Sequence, residues 1–187
     1  RGWCEMEFLT KKKLAGIEGV LLDVDGVLTD GRLVYDDRGN ELRAFDVKDG
    51  YGIVRGLQAG LVFGIVTGKV SPIVERRAAE LGILHVWQGV GDKLALLPEI
   101  ERVTGIAADR LPFIGDDAPD VRIMRAVGCS ACPADASSEG RRAARLVAKH
   151  RERRGAVREI VDRVLAARGC DSAIRESASS PGTGGRP

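Results

Sequence analysis

Asp23 and Asp25 stand two residues apart, behind the apolar run Gly19-Val20-Leu21-Leu22 and ahead of Gly26. A short apolar run bounded by a turn signal suits a fully buried strand of a parallel sheet, and Gly26 lets the chain turn just after the acids. In such sheets ligands bind outside the carboxyl ends of the strands, where this pair falls. Two carboxylates converging at a strand end repel, so they need a cation, a proton or both. That is the physical profile of a metal-dependent phosphoryl-transfer site. An isolated D-x-D serves equally well as a turn or cap, so the pair needs companions. Thr67-Gly68 closes a second apolar run, Lys93 sits in a Gly-rich loop before a helix, and Asp116-Asp117 with Asp120 closes a further run. Alone, Lys93 reads as a solvated lysine and Asp116 as a cap. Acid pair, hydroxyl, lysine and second acid group together are the parts needed to hold one Mg²⁺ and one phosphoryl group.

The pattern around these residues alternates strands with helices. After the first strand, Arg32 to Tyr35 and Glu41 to Phe45 flank a Gly/Asn turn and predict a β-hairpin. A helix is expected over Asp49 to Ala59, a strand over Leu61 to Val66, and a helix over Ser71 to Leu81 stopped by Gly82. A third strand spans Ile83 to Trp87. Asp92 then reads as the N-cap of a helix carrying Leu94, Leu97, Ile100 and Val103 on its core face. A strand over Leu111 to Ile114, a helix through Val121, Met124 and Val127, and a strand at Cys129 follow. Ser138 to Ala143 reads as a short helix, Leu146-Val147 as a strand and Val157 to Ala167 as the last helix. Right-handed βαβ units of this kind build an α/β, doubly wound, mostly parallel (Rossmann-like) sheet flanked by helices. The expected organisation is an N-terminal extension over residues 1–18, one domain over 19–168 and a flexible Ser/Gly/Arg/Pro-rich tail over 169–187.

Bulk properties narrow the field. The chain has 187 residues, 44% hydrophobic and 30% charged, with net charge +2, which suits one ordinary globular domain. No apolar run approaches the ~20 residues of a membrane span, and none follows Lys11, Lys12 and Lys13 as in a signal peptide. The expected location is therefore the cytoplasm, with no membrane partner. A short basic tract and 4% aromatics give no nucleic-acid footprint. Cys129 and Cys132 form a C-x-x-C with no second pair to complete a metal site, and they read as small core residues. Neither His85 nor His150 is read as part of a polar cluster, which leaves acid–base chemistry to carboxylates, Lys or a metal.

At these residues the chain resembles the haloacid dehalogenase superfamily of phosphohydrolases. Asp23-Val24-Asp25-Gly26-Val27 matches its first motif, Thr67-Gly68 its second, Lys93 its third and Gly115-Asp116-Asp117 with Asp120 its fourth. The stretches Asp23 to Asp30, Phe45 to Ile53 and Arg154 to Glu159 look like the capless 3-deoxy-D-manno-octulosonate 8-phosphate phosphatase subfamily. Spacing agrees, because one hairpin and one helix fill Asp25 to Thr67, and one helix and one strand fill Thr67 to Lys93. No cap domain fits.

The resemblance implies Asp23 as nucleophile and Asp25 as acid and then base. It implies Mg²⁺ held by Asp23, the main-chain carbonyl of Asp25 and Asp116. Thr67 and Lys93 would bind phosphoryl oxygens, with Asp117 and Asp120 orienting the metal shell or Lys93. It further implies a homotetramer joined through the hairpin, with Leu33, Val34 and Tyr35 as apolar contacts. The substrate class would be a small-molecule sugar-acid phosphate. Lys69 and Arg77 are the candidate cations for its carboxylate, Lys69 standing where the octulosonate branch usually has Arg and the nine-carbon branch often Glu. Arg151-Glu152-Arg153 replace family glycines. A nine-carbon sugar-acid 9-phosphate phosphatase, a broad small-molecule phosphatase and a catalytically silent binding module are the alternatives.

Overall fold

The computed structural model describes residues 12–170. Residues 1–11 of the expected extension, with Cys4 and Lys11, and residues 171–187 of the expected tail lie outside that range. β1 (Gly19–Leu22) is buried at every position and lies inside a six-stranded sheet in which every pairing is parallel. It pairs with β4 (Val62–Val66) on one side and with β6 (Phe113–Ile114) on the other. β5 (His85–Trp87) extends the sheet beyond β4, while β7 (Ser130–Cys132) and β8 (Leu146–Val147) extend it beyond β6.

Side chains alternate across a strand, so β1 feeds two cores. Val20 and Leu22 join one core with Phe63, Ile65 and Ile53, whereas Leu21 joins the other with Phe113, Ile100 and Met124. The same alternation separates Cys129 from Cys132, which belong to opposite cores as buried free thiols. Burial pushes both thiols up, Cys132 to about 11. Both act as core residues.

The hairpin strands β2 (Val34–Tyr35) and β3 (Glu41–Leu42) form a separate antiparallel pair. α1 (Val47–Gln58) returns from it, its N-terminus capped by the Asp46 carboxylate, which accepts from the Lys48 N–H. α1 packs closely on α6 (Ala156–Ala167), and a Cβ at Gly52 would come within 2.8 Å of the Arg158 Cα. Buried Asp49 fastens the two helix starts by accepting from the Gly155 and Arg158 N–H groups, at 3.3 and 2.9 Å. α2 (Pro72–Leu81) ends at Gly82 with φ 79°, the left-handed cap its sequence predicts.

One expected helix is shorter. Asp92 caps only a turn, accepting from the Leu94 and Ala95 N–H groups, and α3 runs from Leu97 to Thr104. Pro98 lacks an N–H and its ring crowds the carbonyl four residues back, so a helix can begin at Leu97 but cannot run through from Asp92. Val103 is 42% exposed and lies off the core face. α4 (Val121–Ala126) and α5 (Ser138–Ala143) complete the layers. Between Asp25 and Thr67 the chain holds only the hairpin, α1 and the sheet strand β4, so no cap domain is inserted there.

Candidate active site

The end of β1 delivers Asp23 directly beneath its neighbours. The Asp23 N–H donates to the Ile114 carbonyl at 3.0 Å, and the chain then turns so that Val24 O accepts from Leu28 and Thr29. Gly26 makes the turn with φ 85°, and a Cβ there would lie 2.0 Å from the Asp116 carboxylate. Only Gly combines that backbone conformation with that approach. Gly26→Ala is therefore expected to cost about 2–4 kcal/mol from left-handed strain and displacement of Asp116. Thermal unfolding checks the loss, and a weaker Mg²⁺ response of the variant checks that Asp116 is what moves.

Lys93 is buried at the centre of the acids. Its Nζ lies 2.8 Å from Asp23 Oδ1 and 2.6 Å from Asp120 Oδ1, over the Phe113 ring. The second Asp120 oxygen accepts from the Asp116 N–H at 3.0 Å. Asp120 thus joins the lysine to the Asp116 main chain and holds both in place. Carboxylate oxygens of Asp23, Asp116 and Asp120 all lie within 4.8 Å of one another.

The electrostatics follow from crowding without water. Burial, then the Asp120 charge, pushes Asp23 up to about 6, against the pull of Lys93. Burial, then Asp23, Asp120 and Asp117, pushes Asp116 up to about 7. Burial pulls Lys93 down, but the Asp23 and Asp120 charges outweigh it and hold the ammonium above its usual range. Three carboxylates against one ammonium leave two negative charges uncompensated. A divalent cation with oxygen ligands matches that deficit in charge and chemistry, and Mg²⁺ is such an ion.

Asp25 lies outside that trio and, like Asp116, is partly exposed. Arg43 Nη1 contacts it at 3.0 Å and Lys69 Nζ at 3.6 Å. Thr67 follows β4, buried, with its Oγ1 accepting from the Lys69 N–H at 3.4 Å. Since Leu22 pairs with Ile65 in register, Thr67 stands on the neighbouring strand end level with the Asp23–Asp25 turn.

The comparisons with known proteins bear on what this arrangement is. No family model matches the chain. It is 40% identical over 157 residues, 84% of each chain, to the 3-deoxy-D-manno-octulosonate 8-phosphate phosphatase of Escherichia coli K12. It also superposes on the phosphatase of that name from Moraxella catarrhalis, solved with a magnesium ion, a phosphate ion and a KDO molecule. The TM-score is 0.87 at 34% identity, over 90% of this chain and 97% of that one. The chain belongs to the 3-deoxy-D-manno-octulosonate 8-phosphate phosphatase family. A cobalt-bound structure of the Haemophilus influenzae phosphatase is similar at TM-score 0.84 and 36% identity, covering 89% of this chain and 97% of that one.

Within this phosphatase fold the remaining sequence candidates are distributed unevenly. Asp117 is exposed and accepts from the Ala118 N–H, capping the turn Ala118–Asp120. It does not contact Lys93, and Asp120 alone of the two does so. Arg77 lies over the Phe45 ring and pairs with Glu80 on its own helix. Neither contact touches the acids. Lys69 does reach the site, but its partner there is Asp25.

Two features escaped the sequence. Arg43, its side chain 2% exposed, bridges Asp25 and Glu41 from the hairpin. Its signal is a cation flanked by the exposed Leu42 and Ala44, so that alternation turns it inward. His150 lies in a polar cluster after all: its Nδ1 is 2.8 Å from Glu159, whose carboxylate also accepts from the Lys149 and His150 N–H groups. The bond spans a loop and a helix start, so linear sequence does not reveal it.

Proposed function

We propose that the chain hydrolyses a sugar-acid phosphate, with 3-deoxy-D-manno-octulosonate 8-phosphate as the favoured substrate, through an aspartyl-phosphate intermediate on Asp23. The cluster of buried Asp23, Lys93 and Asp120 with half-buried Asp116 carries this reading, since it unites a nucleophile, a cationic donor and a deficit of positive charge in one place. Asp23 has one oxygen on Lys93, and its other oxygen attacks phosphorus. Lys93 and the Thr67 hydroxyl take the phosphoryl oxygens as charge spreads onto them. Asp25, oriented by Arg43 and Lys69, gives a proton to the departing sugar oxygen and then takes one from the attacking water. Asp23, Asp116 and the Asp25 carbonyl would hold Mg²⁺, which offsets the repulsion between carboxylate and phosphate. Asp120 positions Lys93. Asp117 acts as a cap and tunes Asp116 through its charge.

The exposed apolar side chains of the hairpin, Leu33, Val34, Tyr35 and Leu42, between 48% and 59% exposed, support a homotetramer that covers the open site. No helix among the described residues is long and apolar enough to cross a membrane. A cytoplasmic location belongs to the same reading.

Phosphate release from the eight-carbon and nine-carbon sugar-acid phosphates and from simple phosphate esters tests the substrate. Release is expected with Mg²⁺, abolished by chelator, and greatest for the eight-carbon acid; equal rates on all three would remove the pathway-specific part. Mg²⁺ at 100 times its Kd should raise stability by about 2.7 kcal/mol, or roughly 5–10 °C in Tm. Protons compete for the same carboxylates, so calorimetry should show that gain shrinking as pH falls below about 7, the raised value of Asp116, and further below about 6, that of Asp23.

A further inference from the structure

Arg43 reaches the acids from the hairpin, 18 residues along the chain from Asp25. Glu41 and Arg43 stand two residues apart at β3, so alternation turns both to one side, while Leu42 between them is 53% exposed. The Arg43 side chain is buried, and its guanidinium is divided between two carboxylates. Its Nε donates to Glu41 Oε1 at 3.1 Å and its Nη1 to Asp25 Oδ1 at 3.0 Å. A cation placed like this gives up its hydration, and the two acids together offset that loss. The planar fork of the guanidinium also fixes the direction of each bond, which a rotating ammonium does not.

The two oxygens of Asp25 have different surroundings. Oδ1 takes the Arg43 bond, and the hydroxyl of buried Thr29 lies 3.5 Å from the same oxygen. That hydroxyl is also 3.3 Å from the Val24 carbonyl, inside the turn that Gly26 makes. Oδ2 instead faces the Lys69 Nζ at 3.6 Å, beyond hydrogen-bond reach and on a side chain 47% exposed. One oxygen is anchored to the fold. The other is left to exchange protons.

We propose that Arg43, held by Glu41, is a positioning residue for the proton transfers of Asp25: it pins Oδ1 and so presents Oδ2 to the reacting oxygens. The inference rests on the acid and base roles given to Asp25 above. In the first step the proton on Oδ2 passes to the ester oxygen as its bond to phosphorus breaks and the bond from Asp23 forms. In the second, Oδ2 takes a proton from the water that attacks the aspartyl phosphate. Each transfer needs Oδ2 within ~2.6–3.2 Å of the reacting oxygen, and a carboxyl free to swing forfeits that placement. The need is greatest for a sugar alkoxide, a poor leaving group. It is small for p-nitrophenolate, which departs without a proton.

The test takes the ratio of kcat/KM on 3-deoxy-D-manno-octulosonate 8-phosphate to kcat/KM on p-nitrophenyl phosphate, each covering the steps up to loss of the leaving group. Measured on one preparation, that ratio does not change with the fraction of folded protein, so lost fold cannot imitate the effect. In Arg43→Met it should drop about 10- to 100-fold, through kcat on the sugar phosphate with KM nearly constant. Arg43→Lys keeps a cation without the fork and should drop it less. Glu41→Gln loosens the other end of the clamp and should shift the ratio the same way, which keeps the test alive if Arg43→Met does not fold. Asp25→Asn is the reference: its ratio should drop at least as far, and adding Arg43→Met to it should bring no further drop. Parallel losses on both substrates in the Arg43 variants, no loss on either, or a loss carried by KM overturns the positioning role and leaves Asp25 as the acid. A further drop in the double variant also overturns it, since Arg43 would then act without Asp25. An unchanged ratio in Asp25→Asn removes the acid assignment itself, and the inference with it.

Discussion

Asp23→Asn is expected to lower turnover by roughly 10⁴-fold or more while leaving the fold intact. The amide is nearly the shape of the carboxylate and can still accept from Lys93 through its oxygen. What it loses is the nucleophile, since a neutral amide oxygen does not form a stable bond to phosphorus. Stability should not follow activity down. Asp23 titrates at about 6 against an ordinary 3.8, chiefly because burial disfavours its charge. The folded chain therefore binds that proton more tightly than the unfolded chain, and ionised Asp23 weakens the metal-free fold as pH rises through about 6. Removing the charge removes that penalty. At pH 8 without Mg²⁺ the variant should melt no lower than the parent, and with Mg²⁺ the parent should gain more. Phosphate-release assays and melting curves on the same preparations check both halves. Wild-type turnover in the variant would end the nucleophile assignment.

The legible part of this site lies where strand and motif coincide. β1 announces itself because the inner strands of a parallel sheet are buried on both faces and read as an unbroken apolar run. Asp23 and Asp25 then fall at its carboxyl end without further argument. The second acid group shows where legibility stops. Asp117 and Asp120 belong to one short stretch, and nothing in their types says which reaches inward. The turn Ala118–Asp120 decides it, leaving Asp117 at the exposed cap and swinging Asp120 back beneath Asp116 and onto Lys93. Arg43 and His150 depend on tertiary contacts across 18 and 9 residues, beyond the reach of local pattern. Asp92 failed as a helix cap for a local reason that the sequence did contain, the proline at position 98.

Lys93→Met should produce the largest combined effect on stability and rate. Lys93 is 6% exposed and stands between two carboxylates, so its removal leaves buried charges without their cation. Breaking a buried pair in this way costs about 3–5 kcal/mol. The cost must depend on pH. Lys93 pulls the Asp23 value down, and without it Asp23 moves further above its ordinary range. A raised carboxyl brings no penalty below its unfolded value and a growing one as pH rises toward its folded value. The variant should therefore lose much more stability at pH 8 than at pH 5, and Mg²⁺ should restore part of it at pH 8. An equal loss at both pH values would mean that packing on Phe113, rather than charge, is what the side chain supplies. Pairing Lys93→Met with Asp120→Asn removes one of the stranded charges and should recover stability. It should not recover turnover, because the phosphoryl oxygens still lack their donor, a deficit of about 10²–10³ in kcat. Recovery of stability without rate separates the two duties of Lys93: neutralising the buried acids and meeting the charge that develops on phosphate.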